Sequence, residues 1–347
     1  CVMSSRLELL CAGLERPLLV TTPVNVLYLT GRSSTNAAVL VEPGRARLYT
    51  DFRYIGRARA TEDVEAVETP RAVLPALAEL LSGTVGFEAD HVTYAGWQTL
   101  GAKGLALVPT QDVVEALRAV KEPGELDAIR AAAAISDRAF EALAQERFTG
   151  RTERELAWAM DRLLHDFGGE GPAFETIVAA GENGSRPHAI PGDRPIEAEA
   201  LVTIDAGTTV GGYRSDCTRT FSTGDLPDEL ARIYEVCLAA QEAGVAAVRA
   251  GLTGVEGDAA ARHVIEAASY GERLGHGLGH GVGLDIHEAP FLRPESTDTL
   301  VAGNTVTVEP GIYLPGIGGV RIEDLVTVTE DGCERLTRFT KDLLTVS

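Results

Sequence analysis

VTIDAGTTVGGYRSDCTRTF, residues 202–221, carries one acidic residue on each side of a paired-glycine turn. Val202-Thr203-Ile204-Asp205-Ala206 reads as a buried strand, Thr209-Val210-Gly211-Gly212 as a turn, and Tyr213 to Phe221 as a returning strand. A turn centred between Val210 and Gly211 leaves Asp205 and Asp216 equidistant from it, and therefore facing each other. Carboxylates directly opposite on neighbouring strands stand with Cβ atoms about 5 Å apart and repel unless a cation lies between them.

The arrangement recurs downstream. Thr305-Val306-Thr307-Val308-Glu309 and Val320-Arg321-Ile322-Glu323 flank a Pro315-Gly316-Ile317-Gly318 turn, and Glu309 and Glu323 are equidistant from Gly316. Between the two hairpins lies Gly275-His276-Gly277-Leu278-Gly279-His280-Gly281-Val282-Gly283-Leu284-Asp285-Ile286-His287-Glu288. Its three histidines fall within twelve residues, among five glycines that let backbone approach closely. No glycine triplet there fits Gly-x-Gly-x-x-Gly, which argues against a dinucleotide loop. One acidic pair alone is more often a capped turn or a solvated strand face. Two pairs and a histidine cluster point to metal. Asp205, Asp216, His280, Glu309 and Glu323 sit on apolar, strand-like stretches where unpaired charge is costly, and two divalent cations would balance them. Oxygen-rich ligation with one imidazole suits manganese or cobalt, with zinc as the alternative.

At these residues the chain resembles the pita-bread-fold metallopeptidases that include aminopeptidase P, prolidase and methionine aminopeptidase. The resemblance rests on Ile204-Asp205-Ala206-Gly207, Ser215-Asp216-Cys217-Thr218-Arg219-Thr220-Phe221, Gly279-His280-Gly281-Val282-Gly283-Leu284, His287-Glu288, Val308-Glu309-Pro310-Gly311-Ile312-Tyr313 and Gly319-Val320-Arg321-Ile322-Glu323-Asp324. It implies that Asp205 chelates one ion, that Asp216 and Glu323 bridge both, and that His280 and Glu309 complete the second. Such a centre activates water for hydrolysis of a carbonyl compound. Glu309 is the candidate general base, placed to take the water's proton and pass it to the leaving nitrogen.

Further residues follow from the same likeness. His188, in Arg186-Pro187-His188-Ala189, matches a histidine that contacts substrate near the scissile bond. His287 and His276 match positions on the active-site wall, where imidazoles can donate to a tetrahedral intermediate; for His276 a packing role competes. Arg321, two positions before Glu323 and on the same strand face, is expected to pair with a carboxylate of the metal shell.

Around these motifs the chain is 347 residues long with 45% hydrophobic residues, enough for two cores. A net charge of −20 disfavours nucleic acid and anionic membranes as partners. Five cysteines (Cys1, Cys11, Cys217, Cys237, Cys333) without a C-x-x-C pair indicate neither a disulfide framework nor a zinc ribbon, so a reducing cytoplasm is the simplest setting. No run of about 18 apolar residues and no export signal appears. The chain opens on Cys1, which makes Met3 a candidate natural start.

Residues 1–120 alternate helix-like and strand-like segments. Strands are expected at Leu18 to Val20, Ala37 to Val41, near Val64, at Thr84 to Glu88 and at Leu105 to Val108. Helices are expected from about Ser5, after Asp51, from Arg71 to Leu81 and around Trp97. This α/β pattern resembles the creatinase-type N-terminal domain, with Thr50-Asp51-Phe52-Arg53-Tyr54 as the local match. Lys121-Glu122-Pro123-Gly124-Glu125 reads as a linker. By the same resemblance residues 121–347 are expected to form an α+β pita-bread catalytic domain, and periodicity places helices at Leu126 to Gln145, Thr152 to Phe167, Glu229 to Ala250 and Val255 to Ala268.

The N-terminal domain separates the chain from methionine aminopeptidases, which generally lack it. The resemblance therefore implies peptides with proline second as substrates, and a homodimer. Proline's tertiary amide has no N–H and a restricted φ, so general peptidases handle it poorly. In some dipeptidases of the family, an arginine four residues past the equivalent of His287 receives the substrate's free carboxylate. Phe291 stands there in this chain, and the nearest arginine is Arg293. That departure favours aminopeptidase P over prolidase. Creatinase-like enzymes and metal-free protein-binding relatives share the fold without the ligands, and all five ligands are present here.

Overall fold

The computed structural model describes residues 5–346, so Cys1 and Met3 lie outside the described residues. The chain divides into two compact units, one ending at Arg118 and the other beginning at Ala119. No described helix is long and apolar enough to cross a membrane.

The first unit is built on a six-stranded mixed sheet. Its strand order is Glu65–Glu68, Arg45–Thr50, Ala37–Glu42, Leu18–Val20, Thr84–Glu88, Ala106–Thr110. Leu19, Leu40, Tyr49, Leu77 and Leu100 are buried in its core. The strand Arg45–Thr50 was not expected from sequence, because Arg45 and Arg47 interrupt an apolar run. It forms by pairing antiparallel to Ala37–Glu42, with Arg47 held 2.7 Å from Glu42. The helix Pro23–Thr30 is also new: its β-branched and aromatic residues favour a strand, but Pro23 fits the first helical turn and burial overrides propensity. The helix Val113–Ala119 was likewise unexpected.

In the second unit the expected linker is a helix start. Glu122 caps the helix Pro123–Leu143 in a reciprocal box with Glu125, and Pro123 occupies its first turn, where a missing N–H costs nothing. Lys121 is buried, its Nζ 2.6 Å from Glu288 Oε1. This helix and Glu153–Asp166 share a core with the strands Ile177–Ala180, Leu201–Asp205 and Thr218–Ser222. A second core joins the helices Asp228–Ala247 and Gly254–Ala267 to the strands around Glu309 and Glu323. Each half thus lays two helices against one acidic hairpin.

The two hairpins differ in how their registers compare with the sequence reading. Gly211 and Gly212 both take left-handed φ, 59° and 83°, and are the two central residues of the first turn. Tyr213 therefore pairs with Val210, and Thr218 with Asp205. The register is two residues from the expected one, and Asp216 lies diagonally across from Asp205. Because side chains alternate with period two, a slip of two leaves both carboxylates on one face. The returning strand also breaks, into Tyr213–Arg214 and Thr218–Ser222, with Asp216 in the gap.

In the second hairpin Leu314 pairs with Gly318 and Gly311 with Arg321, about Gly316. Val308 pairs with Asp324 in the same register, so Glu309 and Glu323 stand across from each other as expected. Their own amides leave the hairpin. Glu309 N–H donates to Leu278 O at 2.8 Å and Glu323 N–H to Thr218 O at 3.1 Å. These crossings tie the second hairpin to the histidine loop and to the first hairpin.

Candidate metal centre

The convergence is close. Single ligand atoms of Asp205, Asp216 and Glu323 lie within 4.8 Å of one another. His280 Nε2 stands 3.2 Å from Glu309 Oε1 and 3.7 Å from Asp216 Oδ2. All five line one cavity of about 630 Å³. His280 reaches it from the strand Gly279–Gly281, which is squeezed so tightly between its neighbours that a Cβ on Gly279 would sit 2.1 Å from Thr307 O, and one on Gly281 2.3 Å from Ala289 O. The glycines around His280 are therefore required by packing.

Protein groups alone leave this cluster incomplete. Asp205 Oδ1 and Glu323 Oε1 are buried without a hydrogen-bond partner, a state that native structures rarely tolerate. Burial, followed by the repulsion of neighbouring carboxylates, pushes the Asp216 and Glu323 carboxyls well above their usual range. Burial also raises Asp205, against the pull of Arg321. Burial opposes the charge of Glu309 as well, yet the hydrogen bond and charge of His280 hold that carboxyl low. Burial likewise opposes a charged His280, but Glu309 outweighs it and the ring's pKa rises. Four crowded carboxylates beside one imidazole fit two divalent cations of hard to borderline character. His280 Nδ1–H donates to Gly281 O at 3.0 Å, which leaves Nε2 of the neutral ring as a ligand atom.

Arg321 organises the surrounding shell. It is 3% exposed and donates to Asp205 Oδ2 at 2.8 Å, Thr218 Oγ1 at 3.1 Å, Tyr313 Oη at 3.0 Å and Pro187 O at 3.1 Å. Thr218 Oγ1 in turn donates to Glu323 Oε2 at 2.8 Å, and Thr307 Oγ1 to Glu309 Oε1 at 2.9 Å. His276 Nδ1–H donates to Gly277 O at 2.8 Å, so its Nε2 accepts from Tyr313 Oη, also at 2.8 Å. Burial lowers the pKa of His276 and favours that neutral ring. Tyr313, Thr218 and Thr307 lie within or beside the sequence motifs, but nothing in the pattern assigned them a part. Their signal was a hydroxyl on a buried strand face next to each ligand.

The remaining expected residues border the same cavity. His188 and His276 line it, as do His287, Phe291 and Arg293. The His287 ring centroid is 4.4 Å from that of His280, edge to face, and burial followed by His280 lowers its pKa. The Arg293 guanidinium lies over the Phe291 ring, 4.6 Å from its centroid. Phe174, Ile177, Ile190 and Ile286 supply apolar wall.

Residues 127–330 match the model of metallopeptidase family M24, and residues 16–120 that of the creatinase/prolidase N-terminal domain. The chain is 35% identical to an Xaa-Pro dipeptidase of Pyrococcus furiosus, over 99% of this chain and all of that one. It is similar to the structure of an Xaa-Pro dipeptidase from Bacillus anthracis, with a TM-score of 0.95 and 36% identity, covering 98% of this chain and 99% of the other. An X-Pro aminopeptidase from Thermotoga maritima MSB8 gives a TM-score of 0.89 at 32% identity, over 98% of this chain and all of that one.

Proposed function

The chain belongs to metallopeptidase family M24, and from that premise we propose that it is an Xaa-Pro dipeptidase, cleaving the bond between a first residue and a carboxy-terminal proline. Dipeptidases among its relatives support this reading, and so does Arg293. Taken alone, Phe291 in place of the dipeptidase arginine favours aminopeptidase P, a reading the dipeptidase relatives do not support. Arg293, two residues on, lines the cavity beside Phe291, and the aromatic face supports its guanidinium. Its protein partner, Glu295, is 3.7 Å away and largely exposed, which leaves a planar cation able to take a free carboxylate. The lean therefore reverses towards prolidase.

Asp205, Asp216, His280, Glu309 and Glu323 hold two divalent ions in this reading. Bound there, the ions polarise the scissile carbonyl and lower the pKa of the attacking water. Glu309 accepts that water's proton and returns it to the proline nitrogen, which has no hydrogen of its own. His188 and His287 donate hydrogen bonds to the carbonyl oxygen as charge develops on it. His276 is held by Tyr313 and shapes the wall, while Arg321 holds the Asp205 carboxyl in place. A homodimer belongs to the same reading and is checked by light scattering.

The deciding experiment compares Xaa-Pro with Xaa-Pro-Yaa after loading manganese, cobalt or zinc. A dipeptidase has the higher kcat/KM on Xaa-Pro, and R293A raises KM for that substrate about tenfold or more while sparing the tripeptide. Preference for the tripeptide, with R293A silent, would restore aminopeptidase P.

A further inference from the structure

The segment carrying His188 has open space on both faces. Its inner face borders the metal cavity, and behind it lies a second cavity of about 400 Å³, lined by Glu153, Asn183, Arg186, Arg194 and others; Ile190 touches both. His188 and Ile190 are themselves exposed. Packing seats the segment at Gly184 and Ala189, both buried, but leaves the side chains of His188 and Ile190 without a packed wall. The chain leaves the strand Ile177–Ala180, makes a 3₁₀ turn over Gly181–Ser185 and returns at Gly192.

One carboxylate gathers both ends. Glu153, 6% exposed in the first turn of the helix Glu153–Asp166, accepts Ala180 N–H on Oε1 at 2.7 Å. Its Oε2 accepts Gly192 N–H at 2.6 Å and Asn183 Nδ2 at 2.8 Å. Asn183 Nδ2 also donates to Ile190 O at 3.2 Å. On the cavity side the only described hydrogen bond to residues 186–189 from the metal shell is Arg321 Nη1 to Pro187 O. His188 follows directly after that pin.

We propose that Glu153 is a positioning residue for His188: by binding Ala180, Asn183 and Gly192 together, it holds the 181–192 segment as the partition between the two cavities and so presents the imidazole to the substrate. Removing the carboxylate takes the acceptor from two half-buried backbone amides, Ala180 and Gly192, and the segment is then free to relax into the rear cavity. Displacements of about 1 Å at a group that contacts the reacting bond cost up to about a hundredfold in rate. The inference rests on the role proposed for His188 in the peptidase reading.

The test uses full-length, metal-loaded protein with the variants E153Q, E153A, H188A and E153Q/H188A. R154A serves as a control, because the Arg154–Asp193 pair is exposed and lies outside the clasp. E153Q keeps the side chain's volume but turns an amide against at least one of the three donors. It is expected to lower kcat on Xaa-Pro about tenfold with metal content unchanged, and to speed deuterium exchange at Ala180 and Gly192. In the H188A background the same substitution should cost less than about twofold, since coupled residues are non-additive. R154A should match the wild type. An undiminished loss in the H188A background would assign Glu153 a general structural role and overturn the proposal, as would wild-type kcat and exchange in E153Q. If E153A does not fold, E153Q carries the test. If no peptide is cleaved, the functional reading has failed on its own. The exchange rates and the His188 ring resonances, unchanged or shifted by E153Q, then decide whether Glu153 places His188.

Discussion

Glu323 and Asp324 are neighbours in sequence, both buried, and point to opposite faces of the second hairpin. Glu323 faces the cavity with Oε1 unpartnered, and its pKa is pushed up. Asp324 faces away, where Arg219 donates to it at 2.8 Å, Gln241 at 3.0 Å and Lys341 at 3.1 Å, with Arg335 at 3.0 Å. Burial opposes its charge, but Arg219, Lys341 and Arg335 together lower its pKa. One carboxylate has its counter-charge supplied by the fold, and the other does not. The difference separates a structural acid from a candidate ligand without reference to any relative.

Substitution should therefore break the two sites in opposite ways. D324N leaves Arg219 and its companions facing a neutral amide, and loss of one partner from a buried charge cluster costs about 3–5 kcal/mol, read by urea unfolding of metal-free protein. E323Q should leave metal-free stability unchanged or raised, because it removes an unpaired buried charge, while activity falls at least about a hundredfold and metal content drops. Equal destabilisation by both variants would mean that Glu323 is satisfied by protein groups after all.

pH sharpens the same contrast. Asp216 and Glu323 have pKa values raised in the folded state from ordinary values of 3.8 and 4.5. In metal-free protein their contribution to stability is fully present below those ordinary values and is lost as pH rises through the raised ones. Asp205, raised as well, acts in the same direction, and Glu309, held low, in the opposite one. Three against one sets the sign. Within the site, these four groups should withdraw stability from metal-free protein as pH rises from the ordinary carboxylate range through the raised values, whereas bound cations remove the penalty. The Tm gap between loaded and chelator-treated protein should widen with pH in wild type and widen less in E323Q. A gap independent of pH would contradict the assignment.

Much of this was legible in sequence because acidic residues on apolar, alternating strands are conspicuous. The second hairpin's register followed from one turn centre, and the first was misplaced by two residues because Gly211 and Gly212, not Val210 and Gly211, are the paired left-handed positions. Period-two alternation absorbed that error. Lys121 to Glu125 looked like punctuation, since proline and glycine break chains as readily as they start helices; only the Glu122–Glu125 reciprocity told them apart. Glu153 gave no signal, because an acid in a first helical turn is ordinary. Arg293 was undervalued because matching position by position ignores that Phe291 and Arg293 face the same cavity.

The smallest expected effect tests whether the two faces are independent. Lys341 Nζ reaches Asp324 Oδ2 and also donates to Gln241 Oε1 at 2.6 Å, with its side chain 12% exposed. K341M keeps most of the apolar stem but removes one of three cations, and Arg219 and Arg335 still pair Asp324. The cost should be about 1–2 kcal/mol, the range of one charge-assisted hydrogen bond near the surface. Since Lys341 touches only the outward face, metal content and kcat should stay at wild-type values, measured by metal analysis and by turnover on Xaa-Pro. If K341M instead weakens metal binding, strain has passed along the backbone from Asp324 to Glu323. The two adjacent carboxylates would then act as one unit, joined through Arg219, whose Nη1 donates to the Glu323 carbonyl.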